Sequence, residues 1–162
     1  MSAGLTSWQG PIQVEWIDFN GHLRDAFYML LFSYGCDGTL DHIGLDEAGR
    51  AANGHSTFTL ECHVNYLLEV KEGAQVEVRT QLLAHDAKRM HVFLSLHLAG
   101  TEPVLACSEQ MWLNVDMATR RSAPYAPAVL ARVQALAEQH RALPRPAYIG
   151  RVIGLPVPTG NG

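Results

Sequence analysis

Asp18 stands at the end of the apolar pair Trp16-Ile17, followed by Phe19-Asn20-Gly21-His22 and then a long amphipathic stretch without proline. A helix start exposes several unpaired backbone N–H groups and a partial positive charge. A carboxylate beside such an end can activate water as a general base or attack a carbonyl directly. The free amides can polarise the carbonyl oxygen. The chemistry these residues suit is acyl transfer, with Asp18 as base or nucleophile. His22 and Asn20 are candidate catalytic partners, and the amides of Leu23, Arg24 and Asp25 are candidate oxyanion donors. Each has an ordinary alternative. Asp favours N-caps and turns, a Gly-His turn can use its imidazole to pin a loop, and Asn is at home in any turn.

Other chemistries find little support. No Gly-x-Ser-x-Gly nucleophile elbow occurs. The histidines lack His-Glu-x-x-His or a comparable metal spacing, so no metal and no cofactor are expected. Cys36, Cys62 and Cys107 form no Cys-x-x-Cys pair and suit a reducing compartment. The net charge of −4 and the absence of a basic block argue against nucleic-acid binding. No apolar run is long enough to span a bilayer, and Met1-Ser-Ala-Gly-Leu-Thr lacks the features of a signal peptide, so a cytoplasmic location is expected.

The elements that must position Asp18 follow from periodicity. Pro11–Ile17 is expected to be a first strand. Residues 24–42 carry Phe27, Leu30, Leu31, Tyr34 and Leu40 as a broad apolar helical face. Gly35 and Gly38 would each weaken such a helix by about 1 kcal/mol relative to Ala. They either end it early or admit another backbone at close range, and a helix wrapped by a sheet favours the second. Residues 46–52 could add a helical turn or two. Four alternating segments follow, at 57–66, 76–82, 90–98 and 105–115, as half-buried antiparallel strands read. In the first, Phe58, Leu60, Cys62, Val64 and Tyr66 share a face opposite Glu61, His63 and Asn65. In the last, Leu105, Cys107, Met111, Leu113 and Val115 share a face that Glu109 interrupts, so Glu109 needs a partner or a cavity. Residues 126–140 read as a final helix before a Pro-rich tail. The 162 residues are one expected domain, with a core over about 11–115 and a C-terminal helix and tail over about 126–162.

Asp18-x-x-Gly21-His22 with Tyr28, followed by Val64-x-Tyr66 and Gly73, resembles the hotdog-fold acyl-CoA thioesterases of the 4-hydroxybenzoyl-CoA thioesterase type. Arg24 departs from their usual Asn. Phe19–His22, Thr59–Tyr66, Asp86–Phe93, Ser108–Met111, Asp116-Met117 and Arg121–Pro124 are most similar to the betainyl-CoA thioesterases of carnitine breakdown within that group. The resemblance implies an α+β hotdog fold, a curled antiparallel sheet around one long central helix. It also implies hydrolysis of a short-chain acyl-CoA, with betainyl-CoA foremost, and a homodimer or homotetramer whose sites lie at the dimer interface. Glu61 and His63 would face that interface, or else solvent. Another short or aromatic acyl-CoA is an alternative substrate, and a non-catalytic acyl-CoA-binding module is an alternative role.

A betainyl group adds a physical requirement. Its trimethylammonium donates no hydrogen bond and is recognised by aromatic faces. Trp16, Phe19, Tyr28, Tyr66 and Trp112 are the candidates, although aromatic residues at such positions commonly form core. Lys88-Arg89 and Arg120-Arg121, the adjacent basic pairs, are candidate clamps for the CoA phosphates.

Overall fold

Alternating apolar residues give four long strands in the computed structural model, which describes residues 4–155. The ends of the expected domain and tail, residues 1–3 and 156–162, lie outside the described residues. The order is β1 (Leu5–Pro11), a 3-10 turn (Val14–Trp16), α1 (Asp25–His42), α2 (Glu47–Asn53), β2 (His55–Tyr66), β3 (Gln75–His85), β4 (Arg89–Leu98), β5 (Val104–Asp116), β6 (Arg121–Ser122) and α3 (Pro127–His140). The strands form one curled antiparallel sheet in the order β1-β3-β4-β5-β2, with the short β6 paired to β5. Helix α1 lies across its concave face and touches β1, β2, β3 and β4.

The first strand runs earlier than expected. Pro11 ends β1 rather than starting it, since proline has no N–H for a ladder, and 12–17 is a connection with one 3-10 turn. The central helix matches expectation to within a residue, and its glycines are points of close approach. A Cβ on Gly35 would meet the Val78 side chain at 2.5 Å. One on Gly38 would run into the backbone carbonyl of Ser7. Helix α3 starts with Pro127 at its first position, as proline favours. It buries Val129, Val133 and Leu136 and packs on β3. There the His140 Nδ1 accepts the Leu82 N–H at 2.9 Å, beside a β-bulge.

The concave face carries Val76, Val78, Thr80 and Leu82 from β3 and Met90, Val92, Leu94 and Leu96 from β4, all buried. Strands β5 and β2 correct the expected faces. Pairing of Leu94 with Ser108 and of Met90 with Trp112 turns Ala106, Ser108, Gln110, Trp112 and Asn114 toward the helix. Cys107, Glu109, Met111 and Leu113 therefore lie on the convex face. Three of the inward groups form a hydrogen-bonded chain: Trp112 Nε1 donates to Gln110 Oε1 at 2.7 Å, and Gln110 Nε2 donates to Ser108 Oγ at 3.0 Å. In β2 a bulge between Thr59 and Glu61 breaks the expected apolar stripe. Phe58 faces outward, whereas Cys62, Val64 and Tyr66 face the helix side.

Candidate active site

Asp18 closes a tight turn. Its N–H donates to the His22 carbonyl at 2.9 Å, and its own carbonyl accepts the Gly21 N–H at 3.1 Å. The carboxylate Oδ1 accepts the amides of Asn20 at 2.8 Å and His22 at 3.2 Å. Gly21 has φ +79°, the left-handed conformation that only glycine adopts easily. Partial desolvation pushes the Asp18 carboxyl upward. The His22 and Asn20 amides, with the nearby His22 and Arg24 charges, outweigh it and hold the group below its ordinary value. The carboxylate is thus ionised near neutrality, as a base or nucleophile requires.

The turn is fastened to the segment after β2. Leu23 N–H donates to the Val70 carbonyl at 2.8 Å, and His22 bridges to Lys71. The His22 Nε2 lies 3.1 Å from Glu69 Oε2. Beside it opens a cavity of about 290 Å³ bounded by Asp25, Tyr28, Tyr66, Glu69, Leu23 and Leu68. The two tyrosine rings meet edge to face, with centroids 5.2 Å apart. Tyr66 donates its hydroxyl to the Asp25 carbonyl at 3.3 Å, and Tyr28 donates its own to the Leu68 carbonyl at 3.5 Å. Burial first, with nearby carboxylates, raises both phenols above their ordinary value.

The expected oxyanion donors are corrected in part. Leu23 N–H is spent on Val70, and Arg24 N–H donates to the Trp16 carbonyl at 3.0 Å. These loop carbonyls claim the two amides before the helix begins. Asp25, the first residue of α1, is then the amide of the three that its position leaves free of an intrahelical partner.

Other expected site residues are dispersed. Trp16 stacks on Phe27 with centroids 5.9 Å apart. Phe19 projects from the turn, 94% exposed, and Asn20 is also exposed. Trp112 is fully buried beneath the sheet, so the expectation that it contacts substrate is corrected: its indole N–H serves Gln110 instead. Glu61 and His63 lie on the convex face, across the sheet from the tyrosine cavity. They line a cavity of about 250 Å³ with His91, Glu109 and Arg151. Glu109 finds the partners it needed: His91 Nε2 at 2.7 Å and the Gly150 N–H at 2.6 Å. Glu69 was missed by sequence reasoning. It lies three residues past Tyr66, and only the folded contacts of His22 and Leu23 with Glu69, Val70 and Lys71 show that this segment borders the Asp18 turn.

Folding brings the two basic pairs near each other, through Lys88 Nζ donating to Ser122 Oγ at 3.3 Å. Arg89 is held by Asp86 at 2.6 Å, and Arg120 sits 5.4 Å from the Phe58 ring centroid. Arg121 is exposed in β6. Within one chain they occupy the opposite end of the sheet from Asp18. His55 pairs with Asp116 at their end, and Tyr66 pairs with Ala106 at the other. The length of β2 between those ends is roughly 35 Å.

Among the described residues no group of three or more His, Cys, Asp or Glu side chains could hold a metal ion. The model of the thioesterase-like superfamily matches residues 12–133. The chain is 62% identical over 156 residues to the betainyl-CoA thioesterase of Pseudomonas aeruginosa, covering 96% of this chain and 98% of that protein. It is 38% identical over 143 residues to the L-carnitine dehydrogenase/betainyl-CoA thioesterase of Rhizobium meliloti, covering 88% of this chain but 29% of that longer protein. A crystal structure of a suspected thioesterase from Pseudomonas putida superposes with a TM-score of 0.84 at 50% identity, covering 97% of this chain and 99% of that one. A Staphylococcus aureus protein solved in complex with CoA superposes with a TM-score of 0.87 at 27% identity, covering 96% and 98%.

Proposed function

The chain belongs to the thioesterase-like superfamily with its hotdog fold, and from that premise we propose that it hydrolyses betainyl-CoA to glycine betaine and CoA. The observation that carries this reading is the 62% identity, end to end, with a betainyl-CoA thioesterase. Asp18 supplies the reactive carboxylate. Its Oδ1 is held by the two turn amides, which leaves Oδ2 to act. As a base it takes a proton from water, whose oxygen attacks the thioester carbonyl. As a nucleophile it attacks that carbonyl itself, and water then cleaves the mixed anhydride. In both routes the C–S bond breaks, CoA leaves as the thiolate, and the Asp25 amide faces the developing oxyanion. The test is CoA thiol release across a panel of acyl-CoAs. The expected result is the highest kcat/KM for betainyl-CoA. A tenfold preference for another short or aromatic acyl group would move the substrate, and no turnover of any would leave a binding module.

The working unit is a homodimer joined along β2, or a tetramer built from it. Strand β2 ends the sheet, and its Leu60, Tyr66 and neighbouring Leu68 are exposed. Such an edge is a pairing surface. Antiparallel pairing of two β2 edges would set one copy's Lys88, Arg89, Arg120 and Arg121 beside the other's Asp18 turn. That adds two basic pairs to Arg24 and Lys71 beside the turn. Light scattering should find a dimer or a multiple of it, and an active monomer would refute this assembly. The three thiols, all unpaired, fit the reducing cytoplasm. No helix among the described residues is long and apolar enough to cross a membrane.

A further inference from the structure

A quaternary ammonium needs a site of unusual composition. It offers no N–H, so polar acceptors gain nothing by hydrogen bonding to it. It is held by aromatic faces and by negative charge. The cavity beside the Asp18 turn has that composition. Tyr66 supplies an exposed ring, set edge to face against the buried ring of Tyr28. Asp25 and Glu69 supply two carboxylates, and no Lys or Arg side chain lines the cavity. Asp25 and Tyr28 stand three residues apart on α1 and so project from the same side of the helix. Tyr66 is fixed by its hydroxyl to the Asp25 carbonyl. Glu69 is held at the rim by His22, whose own backbone amide is bound by Asp18. The reactive carboxylate and the cavity are therefore linked through one residue.

We propose that the cavity beside the Tyr28–Tyr66 pair is the subsite for the trimethylammonium of the acyl group, with the Tyr66 ring as its aromatic wall, Glu69 and Asp25 as its counter-charges and Glu69 as the residue that sets specificity for a cationic acyl chain. This rests on the betainyl-CoA reading and deepens it. The other three candidate aromatic residues are excluded from the subsite by position. Trp112 is sealed in the core, Trp16 faces Phe27, and Phe19 stands alone on the turn. A neutral acyl group of the same shape would gain the contacts with Leu23 and Leu68 but none of the charge attraction.

The test compares betainyl-CoA with tert-butylacetyl-CoA, its neutral isostere, by the ratio of kcat/KM values. The intact protein should prefer the charged thioester by roughly 30-fold. Glu69→Gln and Tyr66→Leu should each lower that ratio about tenfold, whereas Tyr66→Phe, which keeps the ring, should retain it. The ratio isolates the charge effect, because damage transmitted through His22 or through folding lowers both substrates together. Equal losses on both substrates in Glu69→Gln and Tyr66→Leu would overturn this subsite and leave the betainyl-CoA reading intact. An intact protein that turns over other acyl-CoAs but not betainyl-CoA would overturn both.

Discussion

Replacing Gly38 by Ala tests how α1 is seated, because two opposing effects can be weighed there. In an isolated helix the change would stabilise by about 1 kcal/mol, the propensity difference between Gly and Ala. In this fold the new Cβ would be driven into the Ser7 carbonyl, a backbone group of β1 that no rotamer change can remove. Restoring ordinary contact requires α1 and β1 to separate by on the order of 1 Å. Overpacking of this kind costs about 1–3 kcal/mol, and more where the obstacle is backbone. The net expectation is a loss of about 2 kcal/mol, which for a domain of this size lowers Tm by about 4–8 °C. Gly35→Ala is the control. Its Cβ would meet a methyl of the Val78 side chain rather than backbone, so its loss should be smaller. Because α1 also carries Asp25 and Tyr28, a shift near 1 Å should lower kcat on the order of 100-fold. Thermal melts and steady-state kinetics on both variants read the two effects. A Gly38→Ala protein as stable and active as the parent would refute the close approach.

Asp18→Asn keeps an oxygen for the Asn20 and His22 amides and removes the charge, so the protein should fold while kcat falls about 100-fold to 10,000-fold; near-normal turnover would remove Asp18 from the mechanism. Trp112→Phe deletes the donor to Gln110 in a sealed core, which should cost about 1–3 kcal/mol in a urea melt and leave the ratio of charged to neutral substrate unchanged. Glu109 is pushed up by partial desolvation but held net below its ordinary value by the Gly150 amide and by His91. Its hold on the C-terminal segment is therefore complete above the ordinary glutamate range and is lost as pH falls through the lowered value. The protection factor of the Gly150 amide against hydrogen exchange should fall on that acid side, and a pH-independent protection factor would argue against the anchor.

The helix and the four long strands were legible because their periods extend over seven or more residues. The faces of β2 and β5 were not. In β2 one bulged residue inverted the pattern beyond Thr59. In β5 the helix side is occupied by Ser108, Gln110 and Asn114, polar residues that an apolar count assigns to solvent. Their side-chain hydrogen bonds lower the cost of that burial, and the register of pairing with β4 imposes it. The Asp18 turn was legible as a local Gly-His motif. Which amides remained free was not, because Val70 and Trp16, which take them up, are brought in by the chain's path. The tyrosine pair was named but not singled out. Joining Tyr28 to Tyr66 and finding Glu69 required knowing that the segment after β2 runs beside the His22 turn.

Strand β2 carries an unpaired edge along its length and Tyr66 at its end, so in the proposed dimer joined along β2 the partner copy would also set how firmly the ring is held. The two events are thermodynamically coupled, and coupling of binding free energies is reciprocal. A ligand that orders Tyr66 must tighten association along β2 by the same factor by which association tightens the ligand. Dilution then acts as an inhibitor, lowering apparent affinity before it lowers the intrinsic rate. Substrate, in turn, acts as an assembly factor, and the protein's sensitivity to its own concentration should fade as substrate saturates.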